Sequence, residues 1–150
     1  MRGEGTAIII RRATADDQPA IRRMVRQEWL DPTNLRWPNF VVAEYEGAVV
    51  GIGQVRPYRA GRELGSLVVR EDLRGRGIGG RIMERLLEGE VGTVYLECAA
   101  HMTPYYKRFG FREIDRQDVP GPLRIKSSLG NAFARLMGTR LAVMRRESRR

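Results

Sequence analysis

Leu64-Gly65-Ser66-Leu67-Val68-Val69, then Arg70-Glu71-Asp72-Leu73, then Arg74-Gly75-Arg76-Gly77-Ile78-Gly79-Gly80, then Arg81-Ile82-Met83-Glu84-Arg85-Leu86-Leu87 hold three elements in succession. The first run is apolar and ends in β-branched residues, which predicts a strand. The last places Ile78, Ile82, Met83, Leu86 and Leu87 on one helical face and Arg81, Glu84, Arg85 and Glu88 on the other. A glycine-rich turn with two arginines joins them. Strand, glycine turn and helix together aim unpaired backbone N–H groups and the positive helix end at an anion, typically a phosphate. Glycine lets the backbone come close and permits positive φ.

Three phosphate motifs compete for the turn. A Walker A loop needs Lys and then Ser or Thr after its last glycine, where this chain has Arg81 and Ile82. A dinucleotide GxGxxG is matched by Gly75, Gly77 and Gly80, with Glu97 near the end of the next predicted strand. That pattern wants the strand to run almost directly into the first glycine, and Arg70–Arg74 intervene. Too little chain follows Gly80 for a doubly wound sheet. The third pattern fits best. Arg74-Gly75-Arg76-Gly77-Ile78-Gly79 resembles the (Gln/Arg)-x-x-Gly-x-(Gly/Ala) motif of the GCN5-related N-acetyltransferase (GNAT) superfamily. Tyr105-Tyr106-Lys107-Arg108-Phe109-Gly110-Phe111 is similar to that family's second signature, and the two stand in the family's order. The resemblance covers roughly Ile8 to Ile114.

The resemblance implies a fold and a cofactor. The fold is mixed α/β: a mostly antiparallel sheet of six or seven strands, helices on both faces, and a splayed parallel strand pair. The cofactor is acetyl-coenzyme A. Its pyrophosphate would sit on Arg74, Gly75, Arg76, Gly77, Ile78, Gly79 and Gly80, and its pantetheine arm on the backbone of Leu67, Val68 and Val69. No metal is expected.

Bulk properties agree with a single domain over residues 1–150, large enough to bury a core. No apolar run reaches membrane-spanning length, and Met1–Gly5 does not read as a signal peptide. A lone cysteine, Cys98, argues for a reducing, cytoplasmic setting. The net charge of +9 suits an anionic partner. Arg145, Arg146, Arg149 and Arg150 read as a solvated or frayed end.

Along the chain, Thr6–Arg12 predicts a strand, and Thr14 caps a helix that continues through Trp29. Leu35–Asn39 reads as extended or looped. Trp37 there covers a core edge or, as the family resemblance suggests, borders an acceptor site. Strands follow at 40–45 and 48–56, joined by a Glu46-Gly47 turn. Gly51 and Gly53 mark a bulge or a close backbone approach. Pro57–Gly61 reads as a loop. Val94–Cys98 is a strand parallel to the 63–69 strand, because a helix connects them. A helix from Thr103 through Phe109, a strand at Phe111–Ile114, a helix from Ser127 or Ser128 through Met137, and a strand at Thr139–Met144 complete the reading.

Acetyl transfer to an amine needs a base for the amine, stabilisation of an oxyanion and an acid for the leaving thiolate. Tyr106 matches the family's thiolate-protonating tyrosine, the alternative being aromatic packing. Glu63, eleven residues before Arg74, resembles the glutamate base of the histone-acetylating branch, the alternative being a solvated loop glutamate. His101, the single histidine, is the other base candidate because imidazole chemistry suits proton transfer near neutral pH, the alternative being a surface histidine. Ala99 stands where many members carry an Asn. Cys98 reads as packing rather than as a nucleophile.

The expected activity is transfer of acetyl to the primary amine of a small molecule by direct attack. Glu63–Val69 with the segment from Gly110-Phe111 to Val119-Pro120 is similar to amino-acid N-acetyltransferases of the N-acetylglutamate synthase kind. These take acidic acceptors, and Arg56 and Arg124 are candidates to meet the carboxylates. A polycationic acceptor fits the +9 charge poorly. Protein N-termini or lysines stay open as acceptors. So do a non-catalytic coenzyme A-binding regulator and a nucleic-acid-binding protein, although no nucleic-acid signature accompanies the basic charge. A homodimer stands as one assembly the chain could form.

Overall fold

The Glu46-Gly47 turn is the clearest local signal in the structure. Both residues adopt positive φ, 50° and 76°, the left-handed pair that matches the twist of a two-residue hairpin. It joins β2 (Phe40–Tyr45) to β3 (Ala48–Tyr58). The computed structural model describes residues 7–58, 61–121, 138 and 140–149. The remaining elements are β1 (Ile9–Arg12), α1 (Gln18–Gln27), β4 (Gly61–Val69), α2 (Ile78–Leu87), β5 (Gly92–Ala99), α3 (Thr103–Lys107), β6 (Arg112–Ile114) and β7 (Leu141–Ser148). The strands form one seven-stranded sheet in the order β1-β2-β3-β4-β5-β7-β6. Only β4 and β5 run parallel among the pairings recorded for the described residues. None of the helices among the described residues is long and apolar enough to cross a membrane. The predicted helix around residues 127–137 lies outside the described residues.

Contacts divide the chain into two compact units, Met1–Gln54 with Ser66–Glu88, and Val55–Gly65 with Gly89–Arg150. In the first, alternation along β2 and β3 sends side chains to two faces. Ile21, Met24 and Val25 of α1 cluster with Phe40, Val42 and Ile52. The other face carries Ala43, Gly51 and Gly53, and there α2 packs. A Cβ built on Gly51 would lie 2.9 Å from Ile82 Cδ1, and one on Gly53 would lie 2.9 Å from Ile82 Cγ2 and 3.0 Å from Leu86 Cδ1. The two glycines therefore let α2 sit close against the sheet, which is the close approach the sequence suggested. Gly53→Ala is expected to destabilise the protein by about 1–3 kcal/mol through overpacking, read as a lower urea midpoint at unchanged slope. An unchanged midpoint would mean that α2 has room to retreat.

The start of α1 is braced by charge. Asp17 accepts from Thr14 N at 2.7 Å and from both terminal nitrogens of Arg11 at 2.7 and 3.0 Å. The Arg11 hydrogen bonds hold its carboxyl below the usual range despite burial. Gln18 then ties down the following loop, donating to Leu35 O at 2.6 Å and accepting from Trp37 N at 2.9 Å. The helix ends at Gln27, two residues short of Trp29, because Trp29 takes a left-handed φ of 55°.

In the second unit, β7 lies between β5 and β6 and pairs with both. It runs to Ser148, four residues beyond the predicted end. Arg145 and Arg146 thus belong to a strand with ladder partners on both sides or one, rather than to a frayed tail. Arg145 faces Tyr95 on β5 and Arg112 on β6, and Arg146 Nε donates to Phe109 O at 3.1 Å. Backbone pairing overrode the polar composition. Likewise β3 extends through Pro57, whose fixed φ suits extended backbone, and the predicted loop shrinks. Tyr95, Val119 and Val143 form a small core with Tyr58 and Ile114.

Candidate active site

In the first unit the site begins at a defect in β4. Ser66 has φ 53°, a left-handed value inside a strand. Gln54, fully buried, donates to Ser66 Oγ at 3.0 Å and holds the kink in place. Sequence reasoning missed this anchor. The Gly65-Ser66 pair inside an apolar run was the available signal. Leu67, Val68 and Val69 follow the kink as the last residues of β4.

The turn after β4 has the conformation an anion cradle requires. Gly75 and Gly77 adopt φ of 80° and 79°, and a Cβ on either would meet nothing within 4 Å, so the space beside each is open. The first amide bonded within α2 is that of Arg81, to Gly77 O at 3.1 Å. The amides of Ile78, Gly79 and Gly80 precede it at the positive end of a ten-residue helix. Arg74 uses its donors to shape the turn: Nε bonds Val69 O at 2.8 Å, and Nη2 pairs with Glu28 at 3.1 Å. Arg76 is exposed on the turn. These residues fit the diphosphate of a nucleotide-type cofactor: backbone donors, a helix dipole, an exposed cation and space unobstructed by Cβ atoms.

In the second unit, β4 meets β5 in parallel through Arg62↔Val94 and Glu63↔Tyr95. Glu63, the base candidate, accepts from Arg56 Nη2 at 2.6 Å, and both side chains are largely buried. Arg56 therefore has an internal carboxylate partner, and Arg124 lies outside the described residues. His101 is exposed in a 3-10 turn, Ala100–Met102, that follows β5. Ala99 ends β5 opposite Leu141, and the next amide, Ala100 N, bonds Arg140 O at 2.9 Å.

Tyr106 lies on α3, half-buried, edge-on to Tyr105 at 5.2 Å and to Phe111 at 6.4 Å between ring centroids. Burial pushes its hydroxyl up to about 12, with the nearby Cys98 and Tyr105 adding to the effect. Cys98 is buried 4.0 Å from Met144 Sδ, and burial pushes its thiol up to about 11. A thiol so held stays protonated at neutral pH, which agrees with the packing role expected for Cys98. Among the described residues no group of His, Cys, Asp and Glu is placed to hold a metal.

A kinked strand leading into a glycine turn and helix, on a mixed sheet with one parallel pair, has the geometry that suits a phosphorylated cofactor. The acetyltransferase (GNAT) domain model matches residues 36–113, and the chain belongs to that family. An uncharacterized N-acetyltransferase of Chlorobaculum tepidum is 32% identical over 87 residues. That match covers 55% of each chain, so this chain spans about half the length of the curated relative it matches. N-acetylglutamate synthase from Neisseria gonorrhoeae, solved with coenzyme A and N-acetyl-glutamate, has a similar fold at TM-score 0.73 and 16% identity, over 96% of this chain and 36% of that one. Rv2747 from Mycobacterium tuberculosis, solved with coenzyme A and a second ligand, matches at TM-score 0.73 and 22% identity, over 93% of this chain and 99% of that one. The expected mixed, mostly antiparallel fold is the fold observed.

Proposed function

We propose that this protein is an acetyl-CoA-dependent N-acetyltransferase that acts on the primary amine of a small, amino-acid-like acceptor by direct attack in a ternary complex. The observation that carries the reading is the turn at Arg74–Gly80 in a chain of this family, with two glycines at positive φ and three helix-end amides ahead of the bond from Arg81 N to Gly77 O. Acetyl-CoA supplies the acetyl group as an activated thioester.

The chain's own residues divide the remaining work. The amides of Ile78, Gly79 and Gly80 and the side chain of Arg76 bind the pyrophosphate. Arg74 keeps the turn in shape through Val69 O and Glu28. Leu67, Val68 and Val69 offer backbone groups to the cofactor arm. Tyr106 Oη keeps its proton throughout the neutral range and delivers it to the departing thiolate, which leaves as the free thiol. Glu63 is the first candidate for base and His101 the second. Glu63 would have to accept a proton on a carboxylate already engaged by Arg56. His101 has the better access to solvent.

An amino-acid acceptor is supported by the N-acetylglutamate synthase neighbour and by the surplus of positive charge. We take residues 1–150 as one acetyltransferase domain, since the family match draws on residues of both units. A cytoplasmic location is part of the same reading. The test is a screen of amino acids, polyamines and peptides with free N-termini against acetyl-CoA, with thiol release as readout. Release with acidic amino acids supports the proposal, and release only with peptides moves it to protein acetylation. Cofactor binding without thiol release in any arm would leave a non-catalytic binder. With the best acceptor, Glu63→Gln should lower kcat/KM between pH 6 and 9 if Glu63 is the base. If His101 is the base, His101→Ala should lower it and move the acid limb. Should both keep the wild-type profile, neither is the base.

A further inference from the structure

Beyond the turn, the first unit carries a groove to which none of the residue roles proposed above assigns an occupant. It has a volume of about 840 Å³ and lies between α1 and the loop after it. Val25, Leu30 and Leu35 give it an aliphatic lining, and Arg22, Arg26 and Arg36 stand exposed on its rim. Among the described residues, none of these three arginines has an ion pair. The loop is not slack, since Gln18 bonds it at Leu35 O and Trp37 N.

Trp29 lines the same groove and is 94% exposed. Its φ of 55° is a left-handed conformation unfavourable for a bulky residue, one that glycine or asparagine would adopt at less cost at a helix end. The indole gains no burial in return. Neither helix termination nor core packing explains a tryptophan at this position.

We propose that this groove docks an acidic peptide segment of a partner protein, with an aliphatic side chain of the segment on the Val25–Leu30–Leu35 lining and its carboxylates on the three arginines. Arginine's planar fork holds carboxylates bidentately, and Trp29 covers the inserted side chain with a large rigid surface. Arg22 and Arg26 stand one helical turn apart, about 6 Å along the axis, close to the spacing of alternate side chains in an extended peptide. A second copy of this chain is disfavoured by its +9 charge. Nucleic acid would satisfy the arginines, but its base edges need polar partners that an aliphatic lining lacks.

The test uses the fluorescence of Trp29 in a Trp37→Phe background, which leaves one indole. The probe is a blocked peptide, Glu-Asp-Leu-Asp-Glu, with its Gln-Asn-Leu-Asn-Gln counterpart and a short oligothymidylate as comparisons. The acidic peptide should give a saturable change that weakens with salt. Arg22→Glu with Arg26→Glu should lower affinity by at least about tenfold. Trp29→Gly, followed by calorimetry, should lower it without lowering the melting temperature. Equal binding of the neutral peptide, indifference to arginine reversal, or binding of the oligonucleotide alone would each overturn the proposal.

Discussion

Tyr106→Phe is expected to lower kcat by about 10²-fold or more while cofactor affinity stays nearly intact, because an acid used only in the transition state contributes nothing to ground-state binding. The ring contacts to Tyr105 and Phe111 survive the substitution, so packing is preserved. Thiol-release kinetics and calorimetric titration with coenzyme A separate the two quantities. A variant with wild-type kcat would return Tyr106 to a packing role. The same hydroxyl has a signature in pH. Its folded pKa of about 12 lies above the ordinary value near 10, because burial disfavours the phenolate. Its ionisation should therefore cause no fall in rate through pH 9. The sign for stability follows. The contribution of the neutral buried phenol is complete below pH 10 and is lost as pH rises from 10 through 12, and melting curves of Tyr106→Phe should lack that component.

Gly77→Asp should weaken coenzyme A binding by about 10²-fold or more. Left-handed backbone costs a side-chain-bearing residue roughly 1–2 kcal/mol, and a carboxylate at the helix end would repel the pyrophosphate. The substitution need not unfold the chain, since a Cβ at Gly77 has open space around it. Gly77→Asn isolates the charge: it tolerates the same φ, is close in size and is neutral, so it should keep most of the affinity. Equal affinities for wild type and both variants, measured by calorimetry at matched salt, would dismiss the turn as the pyrophosphate site.

The strand–turn–helix at the centre of the chain was legible because its signals are local. Period and glycine placement alone specified β4, the turn and the buried face of α2, and all five predicted apolar positions of that helix are buried. The Glu46-Gly47 hairpin was legible for the same reason. Features set by distant partners were not. Ser66 sits in a left-handed kink because a buried Gln54 holds its hydroxyl. Glu63 is committed to Arg56, a residue on the preceding strand. Arg145 and Arg146 looked like a solvated tail, and ladder bonds from strands far away in sequence made them part of the sheet. Trp29 looked like the continuation of α1 and turned out to stand in solvent. Sequence by itself determined the family motif, the glycine turn between β4 and α2 and the aromatic signature around Tyr106, because periodicity, glycine conformation and residue chemistry act over a few residues. Tertiary structure alone decided which charged groups neutralise one another, where β4 bends and how far burial shifts Tyr106 and Cys98, because desolvation and ion pairing depend on neighbours that the order of residues does not place side by side.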